Sequence, residues 1–286
     1  MTPVWRFLGA WTFDPVLGTG IIVAAFAYLA AVSAVGRADP GRPWPRRKSA
    51  SFLGGLAVAW IALLGPVGSW DDVFFWAHMS EHILLTMVAA PLLVLGSPVL
   101  LILRVTPPAP RRRWIVPVLR SRAVRLLTDP VLTWALFAGV LIGTHFSPFY
   151  EYALTHPAVH EYVEHSLFLG AALLYYYPLL GGNPQPRQVR HWARVASLAA
   201  MMAPEAMTGF FVYASHHVLY PYYTVVARPF GPGPLASQQL GGGLMWGGSM
   251  VIDTAWMMLA VVGWLRAEQA RTARFDARTA REAVRA

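Results

Sequence analysis

The sequence predicts an all-α membrane protein: a bundle of seven transmembrane helices with its N-terminus outside and its C-terminus in the cytoplasm. Three observations predict it. Of 286 residues, 56% are hydrophobic and 13% charged, and the mean hydropathy is +0.45, whereas soluble domains carry about 25% charged residues. The apolar residues gather into runs of the ~20 residues needed to cross the hydrocarbon layer. Finally, 22 arginines and the single lysine, Lys48, fall in blocks between alternate runs, the pattern of basic cytoplasmic loops. That distribution makes membrane lipid, not nucleic acid, the counterpart of the +9 net charge. The chain has no cysteine, which excludes thiolate metal sites, disulfides, iron–sulfur clusters and a cysteine nucleophile.

The spans follow in order. The first runs from about Val16 to Val35, the second from about Ser51 to Val67. The third, from about Phe74 to Leu103, contains Pro91 and Pro98, so it is expected to kink, or to end near Gly96. The fourth covers about Pro130 to Phe146 and the fifth about Pro157 to Leu180. The sixth covers about Trp192 to Tyr213, interrupted by Pro204, and the seventh about Leu240 to Trp264. Between them the charge alternates. Arg37, Arg42, Arg46, Arg47 and Lys48 precede the second span, and seven arginines between Arg104 and Arg125 precede the fourth. Arg187, Arg190 and Arg194 precede the sixth, and six arginines follow Trp264. Those 21 basic residues share one side, leaving Arg6 and Arg228 on the other. The positive-inside rule makes the arginine-rich side cytoplasmic. Only Arg6 lies within Met1 to Pro15, so no cleaved signal peptide is expected. Residues 1–265 form the membrane domain, and 266–286 a basic, amphipathic cytoplasmic tail lying against the anionic inner leaflet.

Eight of nine histidines fall on the outer side, His191 being the exception. His78 and His82, four apart, share one helix face. His156, His160 and Glu164 form a row at the same spacing along the fifth span, beside Glu161 and His165. His82 and His165 each lie roughly 12 Å from the outer end of their span at the α-helical rise. His145 ends the fourth span, and His216 and His217 end the sixth. Imidazoles of separate helices are thus expected to converge in one outer, water-accessible pocket. Imidazole suits copper, zinc and iron, and a methionine thioether favours Cu(I). The ligand candidates are His78, His82, His160 and His165, with His145, Glu164 and Met207 as second choices. Deeper, Glu205 and Asp253 form a possible intramembrane polar site, since ionisable groups in spans usually face the interior or a water cavity. No P-loop, HExxH or GxSxG motif occurs, so an accessory protein is expected rather than an enzyme.

Several stretches resemble the CtaG family of cytochrome c oxidase assembly proteins: HMSEHILLTMVAAPLLVLGSP from His78, SPFYEYALTHPAVHEYVEHSLFLGAALLYYYPLL from Ser147, LYPYY from Leu219 and QQLGGGLMW from Gln238. Together they cover about Asp71 to Met258. The resemblance implies a multi-pass protein of the bacterial plasma membrane, needed for building haem–copper oxidases, with a part in copper delivery. The family's histidines map onto His78, His82, His160 and His165. Members tend to carry an acid where this chain has Ser237. The expected cofactor is copper, and the expected partners are an oxidase subunit and a copper donor protein. Three alternatives use the same residues differently: a haem-binding electron-transfer protein, an ion or proton transporter working through Glu205 and Asp253, and a scaffold without metal.

Overall fold

A computed structural model describes residues 3–180, 182–186 and 188–285; Arg187 lies outside the described residues. Among these the chain is helical with no strand. Five helices are long and apolar enough to cross a membrane, and a sixth if one bent pair is counted as a single span.

Helix α1 (Pro15–Ala38) starts where Asp14 caps it, accepting from the Val16 and Leu17 amides, with Pro15 in the first turn. Proline is favoured there because its missing N–H is one of the helix's unpaired donors. Helix α2 (Arg46–Leu64) packs against α3 (Phe75–Val105). The two approach closely at Gly55, where an added Cβ would lie 3.0 Å from the Ala89 carbonyl oxygen. Tyr28 ties α1 to this pair: its hydroxyl donates to the Gly96 carbonyl and accepts from Trp44 Nε1. Helix α4 (Pro130–Phe146) repeats the Asp–Pro start, with Asp129 as its cap. The chain then bends by 67° into α5 (Phe149–Thr155). Helix α6 (157–179), α7 (His191–Ala214) and α8 (Pro234–Phe275) complete the bundle.

Three of these helices contain π-turns: Leu84–Ala89 in α3, Val159–Glu164 in α6 and Leu244–Gly248 in α8. Such turns are rare and frequent at functional sites, because the extra residue re-aims neighbouring side chains. In α3 the irregularity therefore precedes Pro91, and the break itself comes at Ser97, whose φ is 52°. The tail follows Ser249 in one unbroken helix to Arg285, so no break marks the expected boundary at residue 265.

Helix α6 is not among the apolar spans, although it lies at the centre of the bundle between α4 and α3. Its His160, Glu164, His165, Tyr175 and Tyr176 are all buried. Conversely, Val23 and Phe26 of α1 and Val251 and Leu259 of α8 are exposed, as side chains facing lipid would be.

Candidate metal centre

Residues His78, Glu81 and His82 lie on the last turns of α3 before its π-turn, and His160, Glu164 and His165 on and just after the π-turn of α6. The sequence-predicted quartet His78, His82, His160 and His165 is brought together, with Glu164 at its centre. His78 Nε2 and His82 Nε2 are 2.7 Å apart, so one ring donates to the other. Glu164 Oε1 lies 3.6 Å from the first and 3.5 Å from the second. The other Glu164 oxygen is 2.7 Å from His160 Nδ1, and His160 Nε2 is 2.7 Å from Asp71 Oδ2. His165 Nε2 lies 3.2 Å from Glu81 Oε1, at an angle that makes no hydrogen bond.

Two acids of this cluster, Asp71 and Glu81, escape the sequence reading. Glu81 is an ionisable residue inside a span, the signal that singles out Glu205 and Asp253. Asp71 sits in a short loop whose fold back onto α6 has no local signature. Three sets of potential ligands, Asp71 with His160 and His165, His78 with His160 and Glu164, and Asp71 with His78 and Glu81, each have their donor atoms within 4.8 Å of one another. Burial pushes the Asp71 carboxyl up, but the neighbouring His160 and His165 outweigh it and hold the group below its ordinary value. Asp72 is raised, first by burial and then by the charge of Asp71.

The expected open pocket is instead closed. Asp71, Glu81, Glu164 and the four histidines are each 0–6% exposed. Tyr150 and Tyr223 seal the outer side. The Tyr223 hydroxyl donates to the Asp71 carbonyl at 2.7 Å, so the Tyr150 hydroxyl, 2.5 Å away, donates to Tyr223. The Tyr150 ring also stacks on His78, with centroids 4.3 Å apart. The LYPYY segment is held down at further points: Tyr220 donates to the His145 carbonyl, and Gln238 accepts from the Leu219 amide. Ser237, where family members tend to have an acid, is buried and accepts from the Trp76 amide at 3.4 Å.

The second-choice ligands divide. Glu164 is central. His145 lies beside His82, ring centroids 6.0 Å apart, and its Nδ1 donates to the Leu141 carbonyl. Met207 is not brought to the cluster; it is 57% exposed on the outer surface of α7, in a groove with Trp134, Phe146 and Phe211. His156, His216 and His217 are exposed. Glu205 and Asp253 are both buried, on the neighbouring helices α7 and α8.

The donor atoms of this cluster could hold a cation. His78 Nδ1, His82 Nδ1, His165 Nε2 and both Glu81 oxygens are buried without a hydrogen-bond partner. Each such group costs about 1–3 kcal/mol. A cation held by one of these sets would pair with its carboxylate oxygens and imidazole nitrogens. With imidazole and carboxylate donors and no thiolate, the set suits Cu(II), Zn(II) or Fe(II).

A family model described as the cytochrome c oxidase caa3 assembly factor (Caa3_CtaG) matches residues 26–267. The chain is also similar to uncharacterized proteins of Mycobacterium bovis and Mycobacterium tuberculosis, each 30% identical over 279 residues, and to one of Mycobacterium leprae, 28% identical over 280. These alignments cover 95% of this chain but 42% of each relative, so the chain spans less than half the length of the curated relatives it matches. No solved structure matches.

Proposed function

This chain belongs to the family of cytochrome c oxidase caa3 assembly factors, and from that premise we propose that it holds copper at the buried histidine–carboxylate cluster and passes it to an oxidase subunit in the same bacterial plasma membrane. It acts as an accessory protein, not an enzyme. The observation that carries this reading is the approach of His78 Nε2, His82 Nε2 and His160 Nδ1 to the two oxygens of one carboxylate, Glu164.

Copper here is cargo. His78, His82, His160 and Glu164 hold it, while Asp71 orients the His160 ring from outside. A partner carboxylate on the far nitrogen of a ligating imidazole fixes its tautomer and raises its basicity. His160 faces carboxylate oxygens from both nitrogens, so it must give up a proton and move off one acid before it can ligate. Uptake therefore releases protons. The Tyr150–Tyr223 seal must open for the ion to enter or leave.

The topology that serves this role has seven spans. That number is supported if the bent pair α4–α5 and the polar helix α6 are each counted as a span beside the five apolar helices, and the arginine blocks support an outer N-terminus and an outer cluster. That is the side on which a copper donor protein would meet it. The test is the copper content of the oxidase purified from cells carrying His78→Ala with His82→Ala. The reading expects copper-deficient oxidase and restoration by excess copper in the medium. Fully metallated oxidase in the variant strain would overturn it.

A further inference from the structure

Below the cluster lies a cavity of about 30 Å³ that the outer site does not use. It is enclosed by α3, α4, α6, α7 and α8, and its wall includes His82, His145, Met79, Met87, Met245 and Glu205. All six are buried. Two π-turns bring residues to it: Met87 sits in that of α3, Met245 in that of α8. The volume decides what can enter. A water needs about 10–15 Å³ of such space, so the cavity takes one water or one bare ion, and a haem is far too large.

Its polar anchor is His145. Nδ1 of that ring is committed to the Leu141 carbonyl at 2.7 Å. The proton therefore sits on Nδ1, and Nε2 presents a lone pair. That nitrogen is buried and has no hydrogen-bond partner. Three methionines share this wall with His145 and a single carboxyl, that of Glu205, a softer set than the carboxylate-rich cluster above. Thioether donors select Cu(I), and imidazole accepts copper as well. His82 belongs to both places: its Nε2 meets His78, while its ring lines the cavity and its Nδ1 is unpartnered.

The geometry points to a second metal position: a Cu(I) site in this cavity, held by His145 Nε2 and thioethers of Met79, Met87 and Met245, with His82 shared with the outer cluster. It rests on the copper reading above and adds an oxidation state and a second stop for the ion. Copper enters as Cu(I) and keeps that state throughout, held more tightly by the softer inner site than by the harder outer one.

The test uses the full chain in detergent, loaded with Cu(I) under a reductant, and reads copper per chain and X-ray absorption scattering. Met87→Leu with Met245→Leu keeps the side-chain volume, a swap cores tolerate well. The expected result is copper–sulfur scattering in the wild type, and its loss together with about one copper per chain in the methionine variant. His160→Ala, whose side chain belongs to the outer cluster and is absent from the cavity wall, keeps the sulfur signal. Nitrogen and oxygen scattering alone in the wild type, or equal copper in the methionine variant, would overturn the inner site and leave the outer one standing. No copper in any form of the chain would overturn both.

Discussion

His160 Nε2 lies 2.7 Å from Asp71 Oδ2, joining a loop and a helix that are 89 residues apart in the chain. The same ring meets Glu164 at 2.7 Å through its other nitrogen. Both partners and the ring are buried, so this three-membered chain of polar groups docks the outer loop onto α6. Removing Asp71 leaves His160 Nε2 buried without its partner, which costs about 1–3 kcal/mol. Asp71→Ala is therefore expected to lower the thermal unfolding midpoint in detergent well below that of a surface control such as Arg271→Ala. Equal midpoints would show that the pair holds nothing together.

The Tyr150–Tyr223–Asp71 relay is the seal of the site. Tyr223→Phe removes the middle hydroxyl and leaves the Asp71 carbonyl without its donor, a loss of about 1–3 kcal/mol. Amide hydrogen exchange in residues 219–226 is expected to quicken, and bound copper to leave faster. Unchanged exchange in that segment would mean that packing alone keeps the site shut.

Copper affinity is expected to fall as the pH is lowered. Imidazole nitrogens and carboxylates bind metal only when deprotonated, so each proton that must leave competes with the ion. The measurement is a calorimetric copper titration in two buffers of different ionisation heat, which counts protons released. A count of zero would contradict ligation through His160, both of whose nitrogens face acids.

Helices α7 and α8 meet through glycine. A Cβ on Gly209 would stand 2.5 Å from the Trp246 amide nitrogen, and one on Gly242 2.5 Å from that of Tyr213. These neighbours are backbone and have nowhere to move. Small residues let membrane helices approach closely. Gly209→Ala is expected to destabilise the bundle by about 1–3 kcal/mol, the usual cost of overpacking, whereas Gly139→Ala, which meets nothing within 4 Å, is expected to be neutral. Thermal unfolding of the two variants side by side decides it.

Much of this site is legible in sequence because helices carry their own ruler. Spacing of four puts His78 with His82 and His160 with Glu164, and equal depth along two spans brings the pairs level. The same ruler, applied further, excludes Met207: two residues beyond the buried Glu205 is about 200° round a helix, which is the lipid face. Asp71 was hidden because its position depends on how a loop folds over a distant helix. That Met87 and Met245 share one cavity is not legible in sequence, because both sit in π-turns, at 84–89 and 244–248, which shift the register that periodicity assumes. Closure of the site by Tyr150 and Tyr223 arises from two segments 73 residues apart, which no local pattern announces.

The most direct test of the central claim is equilibrium copper binding by the purified chain beside His78→Ala with His82→Ala. If these imidazoles and Glu164 form one metal centre, the wild type binds copper with a nitrogen-rich absorption signature that the double variant lacks. Identical copper content and identical spectra in the two proteins would contradict it.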